Sequence, residues 1–130
     1  MSDKYIFSLW KRKTATAQVK LFEWTKDSTI NWKSVSEYIT RKDLFDTIFS
    51  PLKLCKVKDN FFFEVQVAWS GISAQSQAIR HWLARLLAGK QDTFKKILKS
   101  AWMLTRDARK VERKKPGLHK ARKATQWSKR

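Results

Sequence analysis

Alternating apolar and polar residues predict an antiparallel pair of strands near the start of the chain. Tyr5, Phe7 and Leu9 alternate with polar or smaller neighbours, and residues 15–21 repeat this pattern with Ala, Ala, Val and Leu at every second position. A period of two is typical of a strand with one buried face. The basic segment at residues 11–13 separates the two runs, so we expect it to form the connecting turn.

Two further segments favour extended structure. Residues 61–67 place Phe, Phe, Val and Val at alternate positions, which is the clearest strand pattern in the chain, and residues 29–31 are compatible with a short strand.

Several other segments have helical periodicity. The spacing of Ser34 and Glu37 resembles a capping box and predicts a short helix. Residues 42–50 form one apolar helical face that we expect to end at Pro51. A longer helix is predicted from about Ser73 to residue 87, ending at Gly89. Another is predicted from residue 92, and a last short one between residue 105 and about residue 115.

Strands and helices that do not alternate as βαβ units favour an α+β two-layer sandwich, with a sheet of about four strands and helices on one face. We expect residues 1–105 to form this globular core. Residues 106–130 should form a basic tail, first a short helix and then extended chain, because Pro116 and Gly117 stop a helix.

The composition narrows the function. Of the 130 residues, 42% are hydrophobic, which suffices for one domain. The single Cys55 permits no internal disulfide and suits a reducing compartment. No apolar run approaches the length of a membrane span, and the first residues resemble no signal or transit peptide. We therefore expect the protein to act in the cytoplasm, or in an organelle that encodes it.

The tail carries half of the net charge. The chain has a net charge of +18, and residues 106–130 hold eleven Lys and Arg against two acids. Such a run has too few apolar groups to fold alone and makes physical sense against a polyanion. A membrane-surface helix would need a broad apolar face, which the tail lacks. Nucleic acid is the favoured partner, and a solvated run kept for solubility is the simpler alternative.

No catalytic or metal-binding constellation is visible. His81 and His119 are far apart in sequence, and neither has a metal-ligand spacing with Cys55. No Gly-rich phosphate loop is present. We therefore predict that the protein is not an enzyme and takes no cofactor, metal or small-molecule substrate.

The candidate binding residues are basic. Those of the core either dock the domain on RNA phosphates or are merely solvated, and the tail adds Arg forks and Lys point charges that suit phosphate. The predicted RNA-binding residues are Lys11, Arg12, Lys13, Arg80, Arg106, Arg109, Arg113, Lys114, Lys115, Lys120, Arg122 and Lys123. No helix presents polar base readers for duplex DNA, so recognition of RNA shape and backbone is favoured.

Three segments resemble one protein family. The string LTRDARKVERKKPGLHKARKATQWSKR at residues 104–130, GISAQSQAIRH at residues 71–81 and KRKTATAQV at residues 11–19 resemble the C-terminus, the central helix and the N-terminal strand pair of the bacterial-type small-subunit ribosomal protein S9 family. Their order and spacing cover the chain without a large insertion.

The resemblance implies a four-stranded sheet with helices on one side and a structural role in the small ribosomal subunit. The core would sit on rRNA of the subunit head beside other head proteins. The tail would thread through rRNA toward P-site tRNA, with Ser128, Lys129 and Arg130 at its tip. The rival function is a general nucleic-acid chaperone that has no fixed site. A cationic membrane-active peptide is a more distant third.

The tryptophans form an unusual set. The chain has seven Trp and only three Gly. By the resemblance, six of these Trp occupy positions where the family has Gly, and only Trp127 does not. Either the six stack on RNA bases, or the source reads UGA as glycine and the sequence was translated with a table that reads UGA as tryptophan. We favour the second explanation. The six residues are Trp10, Trp24, Trp32, Trp69, Trp82 and Trp102.

Overall fold

A computed structural model describes residues 5–129. It contains five strands: β1 (Tyr5–Arg12), β2 (Ala15–Phe22), β3 (Thr29–Ile30), β4 (Lys33–Ser34) and β5 (Phe62–Ala68). Its four α-helices are α1 (Val35–Tyr38), α2 (Lys42–Leu54), α3 (Ile72–Lys90) and α4 (Asp92–Ser100), with a short 3₁₀ helix at Lys58–Asn60. Among the helices within residues 5–129, none has the length and apolar character needed to cross a bilayer.

The five strands form one sheet in the order β1-β2-β5-β3-β4. Neighbouring strands are antiparallel, except that β3 runs parallel to β5. We did not predict β4. It pairs with β3 through a two-residue turn at Asn31 and Trp32, whose φ angles are 48° and 64°. Positive φ at both central residues defines a type I′ turn, whose usual sequence signal is Asn-Gly. The sequence has Asn-Trp, so that signal is absent.

The core lies between one face of the sheet and the helices, and the predicted α+β two-layer fold is confirmed. Ala15, Ala17, Val19 and Leu21 of β2 are buried, as the alternation predicted. On the neighbouring strand β5, Phe63, Val65 and Val67 are buried in the same cluster. Helix α3 completes it with residues that include Ile79, Trp82, Leu83 and Leu87.

In β1 the period is correct but the predicted face is wrong. Phe7 pairs with Lys20, and Ser8 pairs with the core residue Val19. Directly opposed residues of an antiparallel pair lie on the same face. Tyr5, Phe7 and Leu9 therefore lie on the face away from the helices and are 44–56% exposed. The inward positions of β1 include Ser8 and Arg12. Because both residues are polar, the hydrophobic pattern did not identify this face as the buried one.

Helix α2 continues through Pro51 rather than ending there. Proline lacks the N–H that would bond to the carbonyl four residues earlier, which here is that of Thr47. The Ser50 hydroxyl donates to the Thr47 carbonyl at 2.6 Å. This carbonyl therefore still accepts a hydrogen bond, although proline cannot donate one. Helix α3 likewise passes Gly89 and ends at Lys90.

The predicted short helix between residues 105 and 115 is absent, and residues 101–129 contain neither helix nor strand. At the start of this segment, side chains form hydrogen bonds with backbone groups that would pair with each other in a helix. The Asp107 carboxylate accepts the N–H of Arg109 at 3.0 Å, and the Arg109 carbonyl accepts from Arg12 at 2.6 Å. Such side-chain bonds compete with helix formation.

Candidate nucleic-acid interface

The turn between β1 and β2 presents two lysines to solvent. Lys11 lies near the end of β1, and Lys13 begins the turn with a φ of 53°. Both side chains are exposed. The hairpin places them at one end of the sheet, where they are free to contact phosphate.

Arg12, between these lysines, is buried, with a relative exposure of 7%. Its Nε donates to Oε1 of Gln77 on α3 at 2.8 Å. One terminal nitrogen donates to the Arg109 carbonyl at 2.6 Å, and the other donates to Oδ2 of Asp107 at 3.0 Å. All three bonds stay within the protein, so the structure gives Arg12 an internal role that the sequence did not suggest.

Asp107 ties Arg12 to the beginning of the tail. Its carboxylate accepts hydrogen bonds from the side chain and the backbone N–H of Arg109 and also faces Arg12. These hydrogen bonds from Arg109, helped by the charges of Arg109 and Arg12, hold the pKa of Asp107 well below its usual range. Asp107 therefore stays ionised at any pH of interest for RNA binding.

Arg80 and Arg106 lie at the same end of the molecule as the hairpin turn. They line a small cleft with Lys11, Arg12 and His81. Arg106 also donates from Nε to the Lys11 carbonyl at 3.3 Å. The structure thus brings together core and tail cations that are distant in sequence. Arg85, farther along α3, instead lies over the Trp10 ring, with 4.4 Å from its guanidinium carbon to the ring centroid.

The pKa of His81, which lies in this cleft, is lowered. Burial, followed by the charges of Arg85, Arg80 and Arg106, lowers the pKa of His81 to about 4. The ring is buried and stacks on Trp10 with 4.8 Å between centroids. His81 is therefore neutral near pH 7 and acts as a packing residue.

This pKa predicts a pH dependence of stability. The folded state disfavours the charged imidazole. The contribution of neutral His81 to the free energy of unfolding is therefore fully present above the unfolded pKa of about 6.5, and it is lost as the pH falls toward 4. Between pH 6.5 and 5 we expect a loss of about 1 kcal/mol, after allowance for solvent screening. Urea unfolding at both pH values measures it, and His81→Gln should flatten this slope whereas His119→Gln should not. Equal slopes in both variants would contradict the assignment to His81.

Beyond its root the tail is exposed and basic. Glu112 forms ion pairs with Lys115 and, at 3.1 Å, with Arg122, and the Leu118 N–H donates to the Lys115 carbonyl across Pro116 and Gly117. Several tail cations form no ion pair within residues 5–129. They are Arg106, Lys110, Arg113, Lys114, Lys120, Lys123 and Lys129.

The predicted tip residues are only partly described. Ser128 and Lys129 are exposed, and the Ser128 carbonyl accepts from the Gln126 side chain at 2.8 Å. Arg130 lies outside the described residues. Trp127 precedes them with 94% exposure, so the tip presents an aromatic ring next to cations.

Sequence reasoning selected the candidate cations but missed two residues that bind Arg12 inside the protein. Neither Gln77 nor Asp107 is among the candidate residues of the sequence analysis. Their contacts with Arg12 span 65 and 95 residues. No local spacing signals contacts at such a separation. Within the described part of the chain, no cluster of three or more His, Cys, Asp or Glu is arranged to hold a metal ion.

Comparison with known proteins agrees with the resemblance. Residues 10–130 match the family described as "Ribosomal protein S9/S16". The chain is also 42% identical over 130 residues to the "Small ribosomal subunit protein uS9" of Desulfovibrio desulfuricans, and the match covers 100% of both chains. A match over almost the entire chain shows the family. The chain therefore belongs to the ribosomal protein S9/S16 family.

Proposed function

We propose that this protein is a structural constituent of the small ribosomal subunit and binds rRNA of the subunit head. The observation that carries the proposal is the exposed basic tail, rooted beside the basic hairpin turn of the core. The full-length similarity to a small ribosomal subunit protein supports it. In the ribosome, the protein would neutralise phosphate charge and hold rRNA segments in place, without a reaction or a cofactor.

Recognition in this proposal depends on the RNA backbone and shape. Lys11 and Lys13 would contact phosphates from the hairpin, and Arg80 and Arg106 from the adjacent cleft. The remaining predicted tail cations would follow the rRNA strand, since phosphate contacts position a protein without reading sequence. Arg12 is not among these contacts, because its guanidinium is occupied inside the protein.

The tail tip would reach P-site tRNA, as the family resemblance implies for Ser128, Lys129 and Arg130. Exposure of Ser128 and Lys129 is compatible with this role. Neighbouring head proteins would complete the surroundings of the core. The site of action would be the ribosome, in the cytoplasm or in an organelle that encodes the protein.

Cofractionation separates this function from that of a nucleic-acid chaperone without a fixed site. Small subunits from the native source are washed with high salt, which weakens phosphate contacts, and the protein-to-rRNA ratio is measured by quantitative mass spectrometry. A structural constituent should remain at one copy per subunit. Loss in the wash, together with equal binding to unrelated RNA, would favour the chaperone.

Salt should weaken RNA binding steeply. If about eight tail cations each neutralise one phosphate, log K should fall with log[salt] with a slope of roughly −6 to −7. The measurement is a titration of small-subunit rRNA fragments between low and moderate salt. A slope near −2 would show that the tail contributes little, and the hairpin with Lys11 and Lys13 would then be the main site.

A further inference from the structure

The tail is fastened to the core by a buried arginine. Arg12 ends β1, and its guanidinium contacts Asp107 and the Arg109 carbonyl at the root of the tail. In the opposite direction, Arg106 of the tail donates to the Lys11 carbonyl of the hairpin. Hydrogen bonds from both sides therefore join two segments that lie about 95 residues apart in sequence.

The three acceptors around Arg12 require an arginine. They are a side-chain amide on α3, a backbone carbonyl and a carboxylate, and each accepts from a different nitrogen of the guanidinium. A planar fork with several fixed donors can satisfy all three at once, whereas a lysine ammonium is a compact point charge on a flexible stem. Burial removes competing water from these bonds, and the ionised carboxylate of Asp107 makes one of them charge-assisted.

We propose that Arg12 is a positioning residue, which fixes where the tail leaves the core, and that it does not contact rRNA phosphate. This inference rests on the proposed function, in which the tail cations bind rRNA. A tail that leaves the core in one direction loses less conformational freedom on binding, because part of the ordering is already present in the free protein. Arg12 would thereby raise RNA affinity without touching the RNA.

The test compares Arg12 with a lysine in the same turn. Arg12→Lys keeps the positive charge but loses the fork, and Arg12→Met removes the charge as well. Lys13→Met is the matched control, since it removes one exposed cation beside Arg12 and leaves the three hydrogen bonds intact. Asp107→Asn weakens the contact from its other side and leaves Arg12 in place.

The first readout is hydrogen exchange of the Arg109 amide, which donates to the Asp107 carboxylate in the free, full-length protein. Arg12→Lys, Arg12→Met and Asp107→Asn should each speed exchange there by roughly tenfold or more, since the local opening becomes easier. Lys13→Met should leave exchange unchanged. Wild-type exchange rates in Arg12→Lys and Asp107→Asn would overturn the proposal. If an Arg12 variant fails to fold, Asp107→Asn still decides this readout.

The second readout is the salt dependence of binding to an in vitro transcript of small-subunit rRNA. Arg12→Met should weaken binding roughly five- to tenfold at every salt concentration and leave the log–log slope unchanged. Lys13→Met should make the slope shallower by about one, as expected for a lost phosphate contact. A shallower slope in Arg12→Met would identify Arg12 as a phosphate ligand instead. Weak, salt-insensitive binding by the wild type would contradict the proposed function, whereas the exchange experiment would still test the fastening.

Discussion

Replacing Trp32, Trp69 and Trp102 together by glycine should raise the free energy of unfolding by about 2–3 kcal/mol. Their φ angles are 64°, 68° and 61°. Such left-handed conformations cost a bulky L-residue about 1 kcal/mol or more, and glycine adopts them without a steric penalty. All three side chains are 77–83% exposed, so little buried apolar surface would be lost in exchange.

Two of these positions belong to motifs that normally contain glycine. Trp32 is the second central residue of the type I′ turn between β3 and β4. Trp102 follows the C-cap of α4, where its N–H donates to the Lys99 carbonyl and the N–H of Met103 donates to the Leu98 carbonyl. This pair of bonds defines a Schellman motif, whose left-handed residue is usually glycine.

Trp127→Gly is the matched control, because Trp127 is 94% exposed and lacks a positive φ. Urea unfolding of the triple variant, the control and the unsubstituted chain measures the effect. The control should be neutral within about 0.5 kcal/mol. A triple variant that is no more stable than the unsubstituted chain would contradict the strain argument.

The same variants separate the two explanations of the tryptophans. If Trp32 and Trp69 stack on RNA bases, the triple variant should bind rRNA more weakly. If the natural residues are glycines encoded by UGA, binding should not suffer, and the intact mass of the protein from its native source should be several hundred daltons below that of the printed sequence. An unchanged mass would exclude the codon explanation.

The other three tryptophans are packed differently. Trp24 is 49% exposed beside Phe22 and Phe62. Trp10 and Trp82 bury indole N–H groups that have no hydrogen-bond partner within the described residues, which is an unfavourable state for a polar group. Trp82 also ranks among the largest fully buried side chains. Strain therefore favours glycine at residues 32, 69 and 102, and the native mass and codons decide residues 10, 24 and 82.

The predictability of the fold followed the strength of the hydrophobic pattern. The buried faces of β2 and β5 and the presence of helices α2, α3 and α4 were correctly predicted because their apolar periods are regular. The ends of α2 and α3 were wrong, and the helix predicted between residues 105 and 115 is absent. The missing β4 depends on a type I′ turn whose glycine signal is replaced by tryptophan at position 32. The predicted buried face of β1 was wrong because Arg12 is buried. Its guanidinium donates hydrogen bonds to residues that are distant in sequence, whereas a hydrophobic pattern assigns an arginine to the exposed face.

In the candidate site, local sequence features were predictable and long-range contacts were not. Residue type and local density were enough to select the tail and hairpin cations. Their grouping was not predictable, since Arg80, Arg106 and Lys11 meet only after α3 packs on the sheet and the tail returns to the hairpin. Whether a cation is free or internally occupied depends on such contacts, and Arg12 and Lys13 show that neighbours in one turn can differ completely.

Deleting Ser128, Lys129 and Arg130 should weaken P-site tRNA binding and leave subunit assembly nearly intact. The tail keeps nine of its eleven cations, so its anchoring to rRNA should survive. No hydrogen bond or ion pair between Ser128 or Lys129 and the folded core is lost, because the one hydrogen bond described for them is local, from Gln126 to the Ser128 carbonyl. What disappears is the pair of cations that the family resemblance places beside tRNA.

Exposed charge contacts of this kind contribute roughly 0.5–1.5 kcal/mol each at moderate salt. Losing the contacts of both Lys129 and Arg130 should lower tRNA affinity by a factor between severalfold and about a hundredfold. Different tRNAs should be affected similarly, since phosphate contacts carry no sequence information. Lys129→Met with Arg130→Met should reproduce the deletion, because it removes the charges and keeps the chain length.

Dissociation of P-site tRNA from reconstituted small subunits measures the effect, with full-length, truncated and doubly substituted protein compared at equal occupancy. Faster dissociation with both altered proteins would assign the contact to the two charges. Faster dissociation with the truncated protein alone would assign it to chain length or to Ser128. Equal rates in all three would remove tRNA contact from the function and leave rRNA binding. Failure of the truncated protein to assemble would show that the tip anchors the tail to rRNA, because both alterations leave the core and its fastening through Arg12 unchanged.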